Sequence, residues 1–363
     1  MRILHIIDSL GLGGAQTLVR GIFEAQQDNN EIFLFALRKR DIGIIIQHKN
    51  VYTHGSTSKY SLKPLLSLRD LIRREKIDVL HCHLFRSQVF GYLLKMIWFK
   101  DIKLIFHEHG EIFEDKFVYR AILGLLEPRV NIFLSVSKAT KQKLVERVCI
   151  TEQKVRILFN YVDLDKFKKR LSEAGIMTNR KKLGINDNEI IIGFSGRLSP
   201  IKGCEYLIRS IPFLKVKAKL LIAGDGILKD ELMSLAEVLC VKEGVIFLGQ
   251  IEDIASFYEI LDILVVPSLY ESFGLSAVEA QAMGVLVIAS DVEGLNEVVI
   301  NNETGLLFEP KNYEGLAQKI EQIMSKDSIA LKDDLKTRAL MAAEKFSLKK
   351  YLVDLDCIYD KSI

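Results

Sequence analysis

Short runs of Ile, Val and Leu alternate with longer amphipathic stretches along most of the chain. Runs that are apolar at every position, not at every second one, predict strands buried on both faces. They fall at residues 3–7, 32–37, 79–83, 103–107, 131–136 and 155–158. They resume at 190–194, 219–223, 245–248, 263–266 and 286–289. Helix-periodic stretches lie between them, for example 65–75, 138–147, 228–239 and 277–283. Strand and helix in repeated alternation predict a parallel sheet covered on both faces. The alternation breaks over 160–188, where a charged segment (163–170) and a polar one (178–188) hold no strand. The pattern therefore predicts two doubly wound α/β domains of on the order of 170 residues each, bounded as 1–168 and 169–344. In such sheets ligands bind outside the carboxyl ends of the strands, so motifs at those ends carry the most weight.

Composition leaves this picture unchanged and narrows the class. Of 363 residues, 49% are hydrophobic and 27% charged, enough for a core in each half and far from a disordered chain. The five cysteines are odd in number and scattered, with no CxxC pair, which predicts a reducing compartment and no disulfide framework or structural zinc. The chain opens on a strand pattern, not on a signal peptide. Its longest apolar stretch, 89–99, is interrupted by Lys95 and is too short to span a bilayer. A cytoplasmic protein is expected.

Charge adds an asymmetry. Residues 1–168 hold 27 Lys and Arg against 18 Asp and Glu, a net +9; residues 169–363 hold 23 against 29, a net −6. A basic half suits phosphates or anionic headgroups. Ordinary surface charge would read the same way. The stretch 85–100 mixes apolar, aromatic and basic residues and fits either a membrane-interface helix or a buried helix of the first domain. Nucleic acid is not expected as a partner, because no exposed aromatics interleave with the basic residues.

Three loops carry candidate chemistry. Gly11-Leu12-Gly13-Gly14-Ala15-Gln16 follows the first strand and opens a helix, so its glycines let backbone amides approach an anion. It is not a dinucleotide fingerprint, since Gln16 stands where the third glycine would be, and a plain tight turn explains it as well. Gly196-Arg197-Leu198-Ser199-Pro200-Ile201-Lys202-Gly203 follows the first strand of the second domain. Its two cations suit a diphosphate, Arg197 as a fork and Lys202 as a point charge. A solvated loop is the alternative. Glu271-Ser272-Phe273-Gly274-Leu275-Ser276-Ala277-Val278-Glu279 leaves another strand and starts a helix. Two carboxylates there suit sugar hydroxyls, and the amides of Phe273, Gly274 and Leu275 suit phosphate or sugar oxygens.

All seven histidines lie within the first 109 residues. His81-Cys82-His83 and His107-Glu108-His109 each end a strand, and alternate residues share a face. Each pair could offer two imidazoles to one metal, which makes a metal-dependent hydrolase a rival reading. Against it, the other strand ends bring no cluster of aspartates.

The order of these motifs resembles the retaining family 4 glycosyltransferases. The likeness runs through Gly13-Gly14-Ala15-Gln16, His109-Gly110, Ser135-Val136-Ser137-Lys138, Asn160, Val162-Asp163 and Phe167. It continues through Gly196-Arg197-Leu198, Lys202-Gly203, Gly224-Asp225-Gly226, Pro267-Ser268, Glu271, Phe273-Gly274, Glu279-Ala280, Gly284 and Glu297. Departures are Tyr161, where the family usually has glycine, Leu286, where it often has proline, and Gln16, where glutamate is commoner.

The resemblance implies the GT-B fold, two facing Rossmann-like domains with the donor site in the cleft, and a last helix (345–363) that returns to the first domain. It implies that Gly13 and Gly14 approach the donor diphosphate, and that Arg197 and Lys202, in the loop opened by Gly196, stabilise the leaving group. Glu271 and the Phe273–Leu275 amides would hold the donor sugar, Glu279 the ribose, and His109 would sit near the reacting carbon. The implied reaction moves a hexose or N-acetylhexosamine from a nucleotide-sugar, most readily a UDP-sugar, to a glycan or lipid-linked glycan in surface polysaccharide synthesis. It proceeds with retention and needs no metal or other cofactor. Peripheral contact with the anionic inner face of the cell membrane is expected. The remaining alternatives are another GT-B nucleotide-sugar enzyme such as an epimerase, a silent nucleotide-sugar binder, and the metal-dependent hydrolase.

Overall fold

The computed structural model describes residues 1–11, 13–25, 31–40, 46–58, 60–110, 117–186, 189–325 and 328–360. Leu12 of the first glycine loop and residues 187–188 of the polar stretch therefore lie outside the described residues. The chain divides into two compact units, Met1–Asn160 with Tyr351–Ile363, and Tyr161–Lys350.

The first unit runs β1 (Arg2–Ile7), α1 (Gly14–Ala25), β2 (Glu31–Ala36), β3 (Val51–Thr53), α2 (Pro64–Glu75), β4 (Val79–His83), α3 (Phe85–Ile97), β5 (Lys103–Glu108), α4 (Phe117–Leu126), β6 (Ile132–Ser135), α5 (Lys138–Val148) and β7 (Val155–Ile157). All seven strands are parallel, in the order β3-β2-β1-β4-β5-β6-β7. Every residue of β4 and β5 is buried, as strands covered by helices on both faces must be. Strand order reverses between β1 and β4, which opens a crevice at their carboxyl ends.

The second unit runs α6 (Glu173–Lys182), β8 (Ile190–Ser195), α7 (Cys204–Ser210), β9 (Ala218–Ala223), α8 (Lys229–Val238), β10 (Val245–Gly249), α9 (Ile254–Glu259), β11 (Ile263–Val266), α10 (Leu275–Ala282), β12 (Leu286–Ser290), β13 (Leu306–Phe308), α11 (Tyr313–Met324) and α12 (Ile329–Ala343). Its six parallel strands take the order β10-β9-β8-β11-β12-β13. The reversal falls between β8 and β11. A last helix, α13 (Leu348–Asp360), begins in this unit and joins the first from Tyr351 onward. Its buried face, Tyr351, Leu355 and Tyr359, repeats every four residues.

Several elements differ from the sequence pattern, each for a physical reason. The polar break contains α6, which buries no side chain and so shows no apolar stripe. Strands β3 and β13 have three residues each, too few to display any period. The boundary falls earlier than residue 168 because Phe167 is buried in the second unit, its ring 6.1 Å from that of Tyr258. Within 85–100, α3 is a core helix: Phe90 and Leu94 belong to the first unit's apolar cluster, with Phe85, Val89, Tyr92, Trp98 and Phe99 packed against it. Among the described residues no helix is long and apolar enough to cross a membrane.

Candidate functional site

In the second unit, the loops leaving β8 and β11 flank the point where strand order reverses. They are welded together. The Leu269 amide donates to the Ile201 carbonyl at 2.8 Å. The Lys202 ammonium donates to Glu271 Oε1 at 2.5 Å, and the Ser268 hydroxyl donates to the same oxygen at 3.2 Å. This ion pair is mostly enclosed, with 21% and 14% of the two side chains exposed. The close approach depends on Gly203. It has φ +63°, and a Cβ there would lie 2.0 Å from the Pro267 carbonyl oxygen. Arg197, by contrast, is exposed and makes no ion pair among the described residues. The loop thus offers one cation held by a carboxylate and one open to an incoming anion.

Helix α10 starts at Leu275, directly after Gly274 at φ +95°. No side chain caps it and no acidic residue stands in its first turn, so the positive end of its dipole is not neutralised locally. Glu279 lies one turn further on. Its carboxylate accepts from the Tyr258 hydroxyl at 2.8 Å. Part of the residue reaches the surface, but the carboxyl itself is surrounded by protein. Burial pushes its pKa up to about 7, against the opposing pull of the Tyr258 hydroxyl and the Lys166 charge. Such a carboxyl samples both protonation states near neutrality and can accept from a hydroxyl or donate to one.

In the first unit, the Gly13 carbonyl accepts from the Thr17 amide at 3.0 Å, which starts α1 with Gly14 exposed at its first turn. Gln16 folds back so closely that a Cβ on Gly13 would sit 2.5 Å from its Oε1. Further along the same sheet edge, parallel register sets His5 beside His81 and His83 beside His107. With His109, all five rings gather on one face. His5, His81, His83 and His107 are fully buried and His109 is half-buried. Neighbouring rings lie with centroids 4.3–5.4 Å apart, stacked except for the tilted pair His5–His81. Burial drives the pKa of His81, His83 and His107 well below the ordinary histidine value, and mutual repulsion adds to it. Burial brings His109 down to about 4. Between His107 and His109, Glu108 accepts from Gln88 at 2.5 Å and from the Tyr119 hydroxyl at 3.1 Å. Burial raises that carboxyl to about 7.

The two HxH pairs therefore do come together, and two trios, His5–His81–His83 and His83–His107–His109, bring ring nitrogens within 4.8 Å of one another. Each residue expected at a site stands at the carboxyl end of a strand or the start of the helix that follows. Gly13, Gly14 and His109 are in the first unit; Gly196, Arg197, Lys202, Glu271, Phe273, Gly274, Leu275 and Glu279 are in the second. Sequence reasoning included Ser268 in the Pro267-Ser268 motif without giving it a role, and it assigned no role to Tyr258 or Tyr359. Ser268, three residues before Glu271, was within reach of a local argument. Tyr359 is 278 residues from His81, its hydrogen-bond partner, and no local pattern links them.

Comparison with known proteins bears on this architecture. Residues 12–166 match the family model Glycosyltransferase Family 4, and residues 176–340 match Glycosyl transferases group 1. A glycosyltransferase of Methanocaldococcus jannaschii, itself uncharacterized, is 33% identical over 261 residues, 69% of this chain and 67% of that one. The N-acetylgalactosamine-N,N'-diacetylbacillosaminyl-diphospho-undecaprenol 4-alpha-N-acetylgalactosaminyltransferase of Campylobacter jejuni is 26% identical over 352 residues, 92% and 93% of the two chains. The crystal structure of Anabaena HepE in complex with UDP and glucose matches the fold with a TM-score of 0.86 at 20% identity, over 99% of this chain and all of that one. The chain belongs to glycosyltransferase family 4, the group 1 glycosyl transferases, and it has the GT-B fold.

Proposed function

We propose that this chain moves a hexose or N-acetylhexosamine from a UDP-sugar to a glycan or lipid-linked glycan acceptor. The transfer retains the anomeric configuration, uses no metal ion and serves surface polysaccharide synthesis at the inner face of the cell membrane. The observation that carries the reading is the Lys202–Glu271 ion pair at the strand reversal of the second unit, beside the exposed Arg197. Breaking a sugar–diphosphate bond builds negative charge on the leaving phosphate, and fixed cations are most effective where charge develops. Arg197 and Lys202 supply that charge without a metal. Glu271, once its lysine turns to phosphate, accepts from the hydroxyls of the donor sugar. Glu279 holds the ribose, and the amides at the start of α10 meet phosphate or sugar oxygens. Within the first unit, the partners proposed are a phosphate oxygen for the Gly14 amide and a sugar hydroxyl for His109. The acceptor oxygen attacks the anomeric carbon on the face that the phosphate leaves, and its proton passes to the departing phosphate oxygen.

The UDP bound to the structural neighbour and the lipid-linked acceptor named for the Campylobacter relative support the choice of donor and acceptor class. Net charge supports membrane contact, since residues 1–168 carry an excess of nine cations. The test is a thermal-shift panel of UDP- and GDP-sugars, each with and without EDTA. A ligand at ~100 times its dissociation constant stabilises by about 2.7 kcal/mol. A larger shift with one UDP-sugar than with UDP alone, unchanged by EDTA, is expected. A shift with GDP-sugars only, or one abolished by EDTA, would replace this reading. The anomeric configuration of the product, read by NMR, decides retention.

A further inference from the structure

Among the described residues, hydrogen bonds link the five histidines and Tyr359 in one continuous chain. His109 Nε2 meets His83 Nδ1 at 3.1 Å, and His83 Nε2 meets His5 Nδ1 at 3.0 Å. His5 Nε2 meets the Tyr359 hydroxyl at 3.4 Å, and that hydroxyl meets His81 Nδ1 at 2.7 Å. His81 Nε2 meets His107 Nδ1 at 3.2 Å. Two ring nitrogens are left over, His109 Nδ1 and His107 Nε2. Both are buried and both lack a partner among the described residues. They are the two ends of the chain.

Proton counting limits what this chain can be. Each neutral imidazole carries one N–H, and the tyrosine one O–H, so six groups share six protons. Five bonds need one proton each, which leaves one for an end. A fully bonded chain then has only two states. Either every histidine carries its proton on Nε2, with His107 Nε2–H free and His109 Nδ1 bare, or every histidine carries it on Nδ1 and the ends are reversed. The lengths at the junction choose between them. An O–H···N bond is shorter than an N–H···O bond, so the 2.7 Å contact is the tyrosine donating to His81 and the 3.4 Å contact is His5 donating to the tyrosine.

We propose that Tyr359 polarises this chain so that all five histidines are Nε2–H tautomers, and that His109 thereby presents a bare Nδ1 that accepts a hydrogen bond from a ligand hydroxyl. The ligand class is a sugar hydroxyl, which rests on the transferase reading above. Tyr359 is a positioning residue, acting on His109 through His5 and His83. The lowered pKa of His81, His83, His107 and His109 agrees with neutral rings at those four positions.

The test is long-range nitrogen–proton NMR on full-length protein labelled with 15N-histidine, where a bare ring nitrogen resonates far downfield of a protonated one. Five Nε2–H histidines are expected, with His48 and His54 as internal references. An Nδ1–H tautomer at any of the five, or a stoichiometric transition metal on the rings of the purified protein, overturns the proposal. This readout needs no activity, so it stands or falls separately from the choice of donor. In Tyr359→Phe the ring is kept and the junction is cut. At least one of the five should then leave the Nε2–H state, and kcat should fall about tenfold with little change in KM for the donor, the scale of one lost hydrogen bond. Unchanged tautomers in that variant overturn the role of Tyr359. If it does not fold, the wild-type spectrum alone decides.

Discussion

The Lys202 ammonium donates to Glu271, so on the proposed reading an incoming diphosphate competes with a carboxylate already in place. The pair is mostly enclosed, so parting it is tolerable only because the phosphate replaces the carboxylate as the lysine's partner. The exchange is also useful, since it frees Glu271 for hydroxyls. Lys202→Ala removes the cation but leaves Glu271 with the Ser268 hydroxyl, and no core contact is lost. The variant should therefore fold with a Tm within a few degrees of the parent. Its kcat should fall on the order of 10²–10³, the loss seen when one fixed donor to developing charge is removed. Steady-state kinetics with the donor found in the thermal panel checks this. Turnover near that of the parent would remove Lys202 from the leaving-group site.

At the scale of elements, the position of that lysine is set by the contact between two loops, and the contact is set by Gly203. A side chain there must both adopt φ +63° and displace the Pro267 carbonyl, 2.0 Å from the would-be Cβ. Strain of this kind costs roughly 1–3 kcal/mol before any clash is counted. Gly203→Val should lower the stability of the second unit by at least that amount and weaken donor binding, because the Arg197–Lys202 loop can no longer close on the β11 loop. Denaturant unfolding and donor titration read the two effects, and a variant with parental stability would show that the loops separate freely. This glycine also shows what a sequence displays and what it hides. The motif Lys202-Gly203 is visible as a turn after a strand, and the strands themselves are visible as apolar runs. The partner that makes Gly203 necessary stands 64 residues away, at Pro267, where no local pattern points. Helix α6 was hidden for the opposite reason, having no apolar face to display. The histidine pairs announced a cluster through their alternate spacing. Only the parallel register of β1, β4 and β5 brought His5 into it, and only α13 brought Tyr359.

The whole molecule inherits an uneven distribution of titratable groups, since every histidine lies in the first unit. Four of them have pKa values lowered by burial, so the unfolded chain binds protons there that the folded unit refuses. Their stabilisation is complete above the unfolded value near 6.5 and is lost as the pH falls toward the folded values. Glu108 in the same unit works the other way. Raised to about 7, it favours the folded state most below its unfolded value of 4.5 and loses that advantage as the pH rises through 7. One carboxyl does not offset four imidazoles, so acidification should weaken the first unit. The second unit has no histidine, and its Glu279, also raised to about 7, gains in stability over the same interval. Lowering the pH from 7.5 to 5.5 should therefore move the two units in opposite directions. Hydrogen exchange, corrected for the intrinsic rate at each pH, would show falling protection in β1, β4 and β5 and steady or rising protection in β8, β11 and α10. If both units weakened together, the buried histidines would not be the groups that govern the acid response. Glu108→Gln supplies the internal control. It removes the opposing carboxyl, so the first unit should become more stable than the parent above pH 7 and respond more steeply to acid below it.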